Sequence, residues 1–373
     1  MSSPDPTPTP APAPTASTPD PLASTPEPRF SVGAVVRHRL FWPLVALVVL
    51  LVASVVKSPQ FLQVTVLDGH LFGGPVDILR RSAVLLLVAL GMTLVIATRG
   101  IDLSVGAVMA IAGAVALTQI AASPSPDSVT TVTTAILSAL VVCLVIGVFN
   151  GFMVSVVGIQ PIVATLVIMT AGRGIAMLIT GGQITTVNSG PYKTLASGFW
   201  LGLPVAALIA AFFFAVTAFV TRRTALGVLI ESVGINPTAS RLAGVRARTI
   251  IWIVYVLCAL FAGIAGILQS SNIMAADSNN AGLFIELDAI LAVVIGGTSL
   301  AGGKFSLTGT LVGVLVITTL TLSITILGIP VSAVSLFKAL VVIAVCLLQS
   351  PVVRHKMRAR RRAQAAVPVE VAA

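Results

Sequence analysis

Apolar segments fill nearly all of the chain between residues 40 and 350, and one long charged stretch, residues 221–249, interrupts them. This stretch carries five arginines and a single acid, Glu231. Because cytoplasmic loops of membrane proteins are enriched in Lys and Arg, we expect the stretch to lie on the cytoplasmic side of a membrane. Any fold of this chain must therefore place apolar helices in lipid and keep this segment in water.

The composition excludes an ordinary soluble domain. Hydrophobic residues make up 57% of the chain, charged residues 9%, and the mean hydropathy is +1.06. The formal net charge is +10, but fourteen of the 22 Lys and Arg lie before the first apolar segment, in the central stretch or near the carboxyl end. These positions predict a contact with anionic membrane lipid, and we expect no nucleic-acid partner.

The apolar pattern predicts an all-α polytopic membrane protein with about ten transmembrane helices. Both groups of predicted helices, six before the central stretch and four after it, are even in number, so both termini and the stretch are predicted to be cytoplasmic. The segments are residues 40–56, 78–98, 103–120, 129–148, 162–180, 201–220, 250–270, 287–300, 307–327 and 332–349.

Three regions are predicted on this basis. Residues 1–30 are rich in Pro, Thr and Ser and are expected to form a disordered cytoplasmic tail. Residues 31–350 form the transmembrane domain, with residues 221–249 as its cytoplasmic loop. Residues 351–373 form a basic cytoplasmic tail.

Capping signals in the central stretch predict a short helix over residues 237–243. Asn236 is a suitable N-cap, Pro237 suits the first helical position, and Gly244 can end the helix in a left-handed conformation. We expect Gly234 and Gly244 to act as flexible flanks. A helix of roughly 10 Å is not stable alone in water. The positive charge of the central stretch leaves two interpretations open. The stretch is either a loop that contacts only lipid headgroups or a rigid element that docks on a cytoplasmic protein.

A second signal is the sequence GMTLVIATRGIDLSVGAV, in which an apolar helix stops at Arg99 and another begins after Asp102 and Ser104. The carboxylate can cap the N–H groups of the second helix. One interpretation is a tight turn held by an Arg99–Asp102 ion pair. The other places Asp102 at the inner end of a solute path, because ionisable residues near membrane depth are functional candidates.

A third signal is ELDAILAVVIGGTSLAGGKFSLTGTLVG, where Glu286 and Asp288 precede a glycine-rich turn containing Thr298. The phosphate-loop pattern GxxxxGK[ST] fails here, because Thr298 stands at its first glycine and Phe305 at its final position. This chain is therefore not expected to bind ATP. The three cysteines and three histidines are scattered, so we predict no metal site, cofactor or catalytic residue.

These motifs, with ESVGINPTASRLAGV in the central stretch, resemble the permeases of bacterial ABC importers for ribose and related monosaccharides, over roughly residues 60–350. Other stretches, such as NNAGLFIELDAILAVVIGG, are most similar to permeases of galactofuranose importers. The resemblance implies a fold of the vitamin B12 permease type, a location in the bacterial plasma membrane, and a second permease, identical or paralogous. It also implies cytoplasmic ATPase subunits and an extracytoplasmic sugar-binding protein.

In that family the segment corresponding to residues 231–244 contacts the ATPase. The resemblance thus implies a coupling role for Glu231, Gly234, Asn236, Ala239, Arg241 and Gly244. For the solute path, the candidates are Arg99, Asp102, Ser104, Glu286, Asp288 and Thr298. Arg99 departs from the glycine that relatives commonly have at this position.

Two alternatives stay open at this point. A secondary carrier driven by protons or sodium should bury acids at mid-membrane, yet the central parts of the predicted spans contain almost no Asp or Glu. A permease for branched-chain amino acids would share the small-residue helices and the cytoplasmic loop. A structural or enzymatic membrane protein is disfavoured, since no nucleophile with a nearby base is apparent.

Overall fold

The computed structural model describes residues 40–67, 69–330, 333–340 and 343. Most of these residues are helical. The helices are α1 Phe41–Lys57, α2 Gly74–Ala97, α3 Val105–Ala122, α4 Val129–Phe152, α5 Pro161–Ile179, α6 Gly190–Ser197, α7 Val205–Arg223, α8 Ala225–Ile235, α9 Pro237–Leu242, α10 Ala247–Ile273, α11 Ile285–Ile295 and α12 Leu307–Ile326. A π-helical turn, Met153–Val157, continues α4, and residues 333–340 are helical as well.

Short antiparallel strand pairs lie in the connections between helices. β1 Thr65–Leu67 pairs with β2 His70–Phe72, and β4 Phe199–Trp200 pairs with β5 Leu203–Pro204. β3 Thr185–Thr186 pairs with β6 Ala275–Ala276, which joins the segment after α5 to the segment after α10. These three pairs leave the all-helical class unchanged.

The centre of the molecule is formed by α2, α3 and α10, which pack closely because small residues face one another. Gly91 on α2 leaves room for Cys258 on α10, since an added Cβ would lie 2.8 Å from the Cys258 Cα. Gly266 on α10 meets the backbone of Met109 on α3 in the same way. Lipid supplies no hydrophobic force between helices, so close backbone approach through small residues is the main source of their association.

Within the described ranges, seven helices are long and apolar enough to cross a membrane, namely α2, α3, α4 with its π-helical turn, α5, α7, α10 and α12. Helices also occur at the other predicted segments. α1 has 17 residues and α11 has 11, while only residues 333–340 and 343 of the last segment are described. The polytopic helical class is confirmed, and the count of ten spans stays a prediction. Residues 1–39 and 344–373, which include both predicted tails, lie outside the described residues.

The central stretch is more ordered than the sequence suggested. We predicted one short helix in residues 221–249, and the structure also forms α8, whose side chains Ile230 and Val233 are fully buried. The hydroxyl of Thr224 caps α8 by accepting from the Leu226 N–H. Arginines on both sides made the stretch resemble a loop, but α8 buries its apolar face against the helix bundle.

Candidate functional site

The connection between α2 and α3 is a buried polar turn around Asp102. This carboxylate is 1% exposed, and its Oδ1 accepts from the Ser104 N–H at 2.9 Å and from the Ser104 hydroxyl at 2.6 Å. The Asn150 side chain, on α4, donates in turn to the Ser104 Oγ at 2.8 Å. Burial raises the pKa of the Asp102 carboxyl above its ordinary value, although the bonds from Ser104 oppose this shift.

The ion pair that we considered between Arg99 and Asp102 is not formed in the described structure. The Arg99 guanidinium instead donates to the backbone carbonyl of Ile235, the last residue of α8. Arg99 also has a left-handed backbone, with φ of 65°. Its side chain therefore ties the α2–α3 turn to the central stretch rather than closing the turn on itself.

Three buried oxygen atoms near this turn have no hydrogen-bond partner among the described residues: Asp102 Oδ2, Asn150 Oδ1 and Tyr255 Oη. The Tyr255 hydroxyl lies beside Gly100, where an added Cβ would be 2.5 Å away. Buried polar groups are almost always paired with protein, water or ligand. Tyr255 and Asn150 stand among apolar residues in the sequence, and sequence reasoning did not select them.

The segment before α11 enters the helix bundle. An added Cβ on Gly106, in the first turn of α3, would overlap the Gly282 carbonyl and lie 2.9 Å from Glu286 Oε2. At about 1.5 Å per residue, α11 is on the order of 16 Å long, about half a membrane span. Glu286, in its first turn, is only 5% exposed. The predicted span over residues 287–300 is thus a half-helix whose amino end is buried, as in transporters with broken helices.

Arg173, in the interior of α5, holds the segment that enters the helix bundle before α11. We call residues 277–284 the re-entrant segment. The Arg173 Nη1 lies 3.1 Å from the Ser278 carbonyl, 3.3 Å from that of Asn279 and 2.6 Å from that of Ala281. Non-helical backbone at membrane depth requires such partners. Sequence reasoning missed Arg173, although a lone arginine inside a predicted span was a usable signal.

Asp277 orders the start of the same segment. Its carboxylate accepts from the backbone N–H groups of Asn279 and Asn280 and from the Asn280 side chain at 2.7 Å. These bonds, with the Asn280 side chain first, lower the pKa of Asp277. The polar residues here form a defined turn.

Asp288 and Thr298 have separate surroundings. Asp288 forms a 2.7 Å ion pair with Lys338. Thr298 is 3% exposed, and its hydroxyl accepts from the Ser306 N–H at 3.3 Å within the glycine-rich turn. The structure therefore brings Asp102 and Ser104 together, places Glu286 against the first turn of α3, and gives Thr298 a role in shaping its own turn.

The short helix α9 forms where the capping signals predicted it. Asn236 Oδ1 accepts from the N–H groups of Thr238 and Ala239, both at 3.0 Å. Gly244 ends the helix with φ of 84°. Leu242 is 87% exposed, a large apolar side chain on the surface of the central stretch. Glu231 lies half-buried on α8, whereas Ala239 and Arg241 are exposed on α9.

Gly234 is closely packed. The prediction that it forms a flexible flank of the short helix is therefore wrong. Gly234 lies in the last turn of α8, where an added Cβ would overlap the Ala97 carbonyl and lie 2.6 Å from the Gly303 nitrogen. The Gly303 N–H also donates to the Ala97 carbonyl at 2.9 Å. We call this meeting point of α2, α8 and the glycine-rich turn the inner junction. The Arg99 contact to Ile235 belongs to it.

Comparison with known proteins identifies the class. A family model described as branched-chain amino acid transport system / permease component matches residues 74–346. The chain belongs to this permease family. The permease is 49% identical over 319 residues to the galactofuranose transporter permease of Escherichia coli K12, covering 84% of this chain and 92% of that protein.

Two further relatives extend the comparison. The permease is 40% identical over 340 residues to the fructose import permease of Bifidobacterium longum, covering 90% of this chain and 94% of that protein. It is 36% identical over 311 residues to the ribose import permease of Escherichia coli K12, covering 82% of this chain and 92% of that protein. No solved structure matches the chain. These relatives confirm the resemblance to monosaccharide importer permeases that the motifs indicated.

Proposed function

We propose that this permease is the membrane subunit of an ABC importer that carries a monosaccharide, with ATP hydrolysed by a partner chain. The observation that carries the proposal is the near full-length similarity to permeases named for galactofuranose, fructose and ribose. The failed phosphate-loop pattern is consistent with this division of labour, since the chain offers no motif for binding ATP itself.

The proposed assembly contains two permeases, identical or paralogous, with cytoplasmic ATPase subunits and an extracytoplasmic sugar-binding protein. Each permease crosses the membrane ten times in a vitamin B12 permease-type fold, sits in the bacterial plasma membrane, and has both termini in the cytoplasm. The half-helix α11 and the non-helical segment before it together form one of these crossings. The even number of apolar segments on either side of the central stretch supports this topology, as does the clustering of arginine.

Helix α9 is the proposed contact with the ATPase. Its exposed Leu242 supplies an apolar anchor, and Arg241 supplies charge beside it. Asn236 and Gly244 fix the two ends of the helix, while Ala239 lies exposed between them. Through Gly234, movement of α8 would displace the inner junction, so ATP-driven closure of the partner subunits would alter the inner ends of α2 and α3. Such coupling requires contacts that differ between two states.

The proposed solute path runs from the re-entrant segment to the inner junction. All three acidic or hydroxyl groups Glu286, Asp102 and Ser104 are buried in this arrangement, and they would offer oxygen atoms to sugar hydroxyls in a state that opens the path. Arg99 and Thr298 act at its inner end by holding the junction and the glycine-rich turn. Asp288, paired with Lys338, contributes to the position of α11 rather than to direct sugar contact.

Branched-chain amino acids are the alternative solute class, favoured only by the name of the matching family. A proton- or sodium-driven carrier is a second alternative, opposed by the scarcity of acids in the spans. Both are tested by reconstituting the permease with its ATPase and binding protein in vesicles. Radiolabelled galactofuranose, ribose, fructose and leucine are offered with and without ATP. ATP-dependent uptake of one sugar is expected, while leucine uptake or gradient-driven uptake would refute the proposal.

The docking role of α9 has a separate test. Replacement of residues 234–244 by a Gly/Ser linker should abolish co-purification of the ATPase while membrane insertion continues. Unchanged co-purification would place the ATPase contact elsewhere on the permease.

A further inference from the structure

Side chains of α2, α4, α7, α8 and α10 line an open groove of about 320 Å³. Its walls are leucine, phenylalanine, valine and isoleucine side chains, with two threonines. The hydroxyl of one of these, Thr221, already donates to the Thr217 carbonyl at 2.7 Å. The groove therefore offers an apolar ligand a surface with almost no unused polar group.

The groove opens on a face that is expected to contact lipid. α7 forms one wall, and its Phe212 and Phe219 are 61% and 65% exposed. Apolar surface of membrane-spanning helices is covered by lipid chains or by another protein, because water is excluded from the hydrocarbon region. From Phe213 to Thr221 the wall is about 12 Å long, close to the roughly 15 Å thickness of one leaflet's hydrocarbon.

Two cations stand at one end of the groove. Arg222 and Arg223 directly follow the lining residue Thr221, and both are exposed. In the described part of the chain neither has a hydrogen bond or ion pair. Guanidinium groups bind phosphate oxygens with matched geometry. The groove thus combines an apolar surface nearly as long as one leaflet with two exposed arginines at one end.

We propose that this groove binds one acyl chain of an anionic phospholipid, with Arg222 and Arg223 holding its headgroup phosphate. The inference requires only that these helices cross a membrane, and it does not depend on which solute the permease carries. Anionic lipid is favoured over zwitterionic lipid because each basic residue near the surface adds attraction for net negative headgroups.

Native mass spectrometry of the purified full-length permease tests the proposal. The protein is titrated with phosphatidylglycerol or with phosphatidylcholine of identical chains, and retained lipid is counted. We expect preferential retention of one phosphatidylglycerol, weakened about fivefold for each arginine removed in Arg222→Gln/Arg223→Gln. Leu260→Trp, which adds bulk to the groove lining, should lower retention of both lipids.

The matched control is Arg246→Gln/Arg248→Gln, which removes the same charge from exposed positions at the start of α10, outside the groove lining. It should retain phosphatidylglycerol like the unmodified protein. Equal retention of both lipids, equal losses in the control and the Arg222/Arg223 variant, or no effect of Leu260→Trp would each overturn the proposal. Loss of a permease dimer in Leu260→Trp without loss of lipid would assign the groove to a second copy of the chain instead.

Discussion

Single residues in this permease act mainly on the backbone of distant segments. Gly234 lets α8 approach the carbonyl of Ala97, and Arg173 bonds three carbonyls of the re-entrant segment. The Arg99 guanidinium likewise donates to the carbonyl of Ile235. Irregular backbone within a helix bundle must find such partners, since an unpaired polar group in an apolar medium is costly.

Replacement of Gly234 by alanine should destabilise the inner junction. The added methyl has no space beside Ala97 and Gly303, and overpacking of this kind typically costs about 1–3 kcal/mol. We expect a lower thermal unfolding temperature in detergent and weaker coupling of ATP hydrolysis to transport. Gly174→Ala is the control, because an added Cβ there meets nothing within 4 Å. Equal effects of the two changes would show that Gly234 is not tightly packed.

Replacement of Arg173 by alanine should loosen the re-entrant segment. Three carbonyls lose their charged donor, and hydrogen bonds to charged groups contribute about 1.5–3 kcal/mol each when well formed. Arg173→Lys should recover part of the lost stability, because one ammonium group can reach some of the carbonyls. The measurement is hydrogen exchange of residues 277–284 together with sugar uptake.

Arg80→Ala provides the comparison for Arg173. It removes an arginine whose partner, Asp77, lies on the surface at 3.0 Å, and such pairs contribute at most about 1 kcal/mol. Exchange in residues 277–284 should stay unchanged in this variant. Increased exchange there after Arg80→Ala, or none after Arg173→Ala, would contradict the assigned role.

Among the elements, α8 and α9 form a pair joined at one residue. Asn236 ends α8 and caps α9, so a single side chain sets the angle at which α9 leaves the bundle. α9 has only six residues and depends on its cap and its neighbours for stability.

Asn236→Ala should therefore fray α9. Loss of an N-cap costs typically about 1 kcal/mol, because two backbone N–H groups lose their acceptor. We expect reduced ATPase co-purification with normal membrane insertion. Asn236→Asp, which keeps the acceptor, should restore it. A failure of aspartate to rescue would mean that the amide contacts the ATPase directly rather than capping the helix.

Polar connections lie at both ends of the helix bundle. The orientation of the permease in the membrane depends on which of these ends faces the cytoplasm. The inner junction, the Asp102 turn and α9 group at one end. At the other, Ser189 donates to the Pro126 carbonyl at 2.8 Å, between the segments that precede α4 and α6. The proposed topology places the first end in the cytoplasm.

Cysteine labelling of intact cells tests this orientation. Native Cys143, Cys258 and Cys346 are first replaced, and a single cysteine is introduced as Ala243→Cys directly after α9 or as Lys193→Cys on α6. A membrane-impermeant maleimide should label position 193 in intact cells and position 243 only after lysis. The reverse pattern would overturn the topology and the direction of transport.

The sequence predicted α9 closely, because caps are local and each depends on a few neighbouring residues. It also predicted the positions of the apolar helices from hydropathy. It missed α8, whose buried Ile230 and Val233 form a face only against the bundle. It missed Arg173, Asn150 and Tyr255, which meet segments far away along the chain. Of its two interpretations of the Arg99–Asp102 turn, the ion pair is not formed in the described structure.

The amino-acid sequence by itself determined that this protein is a helical membrane protein, because the free energy of placing each segment in lipid depends on its own composition. Only the tertiary structure decided that α11 is a half-helix with a buried amino end, and that Gly234, Ala97 and Gly303 meet. Those features arise from contacts between segments far apart in sequence, where shape and hydrogen-bond geometry, rather than hydropathy, select the arrangement.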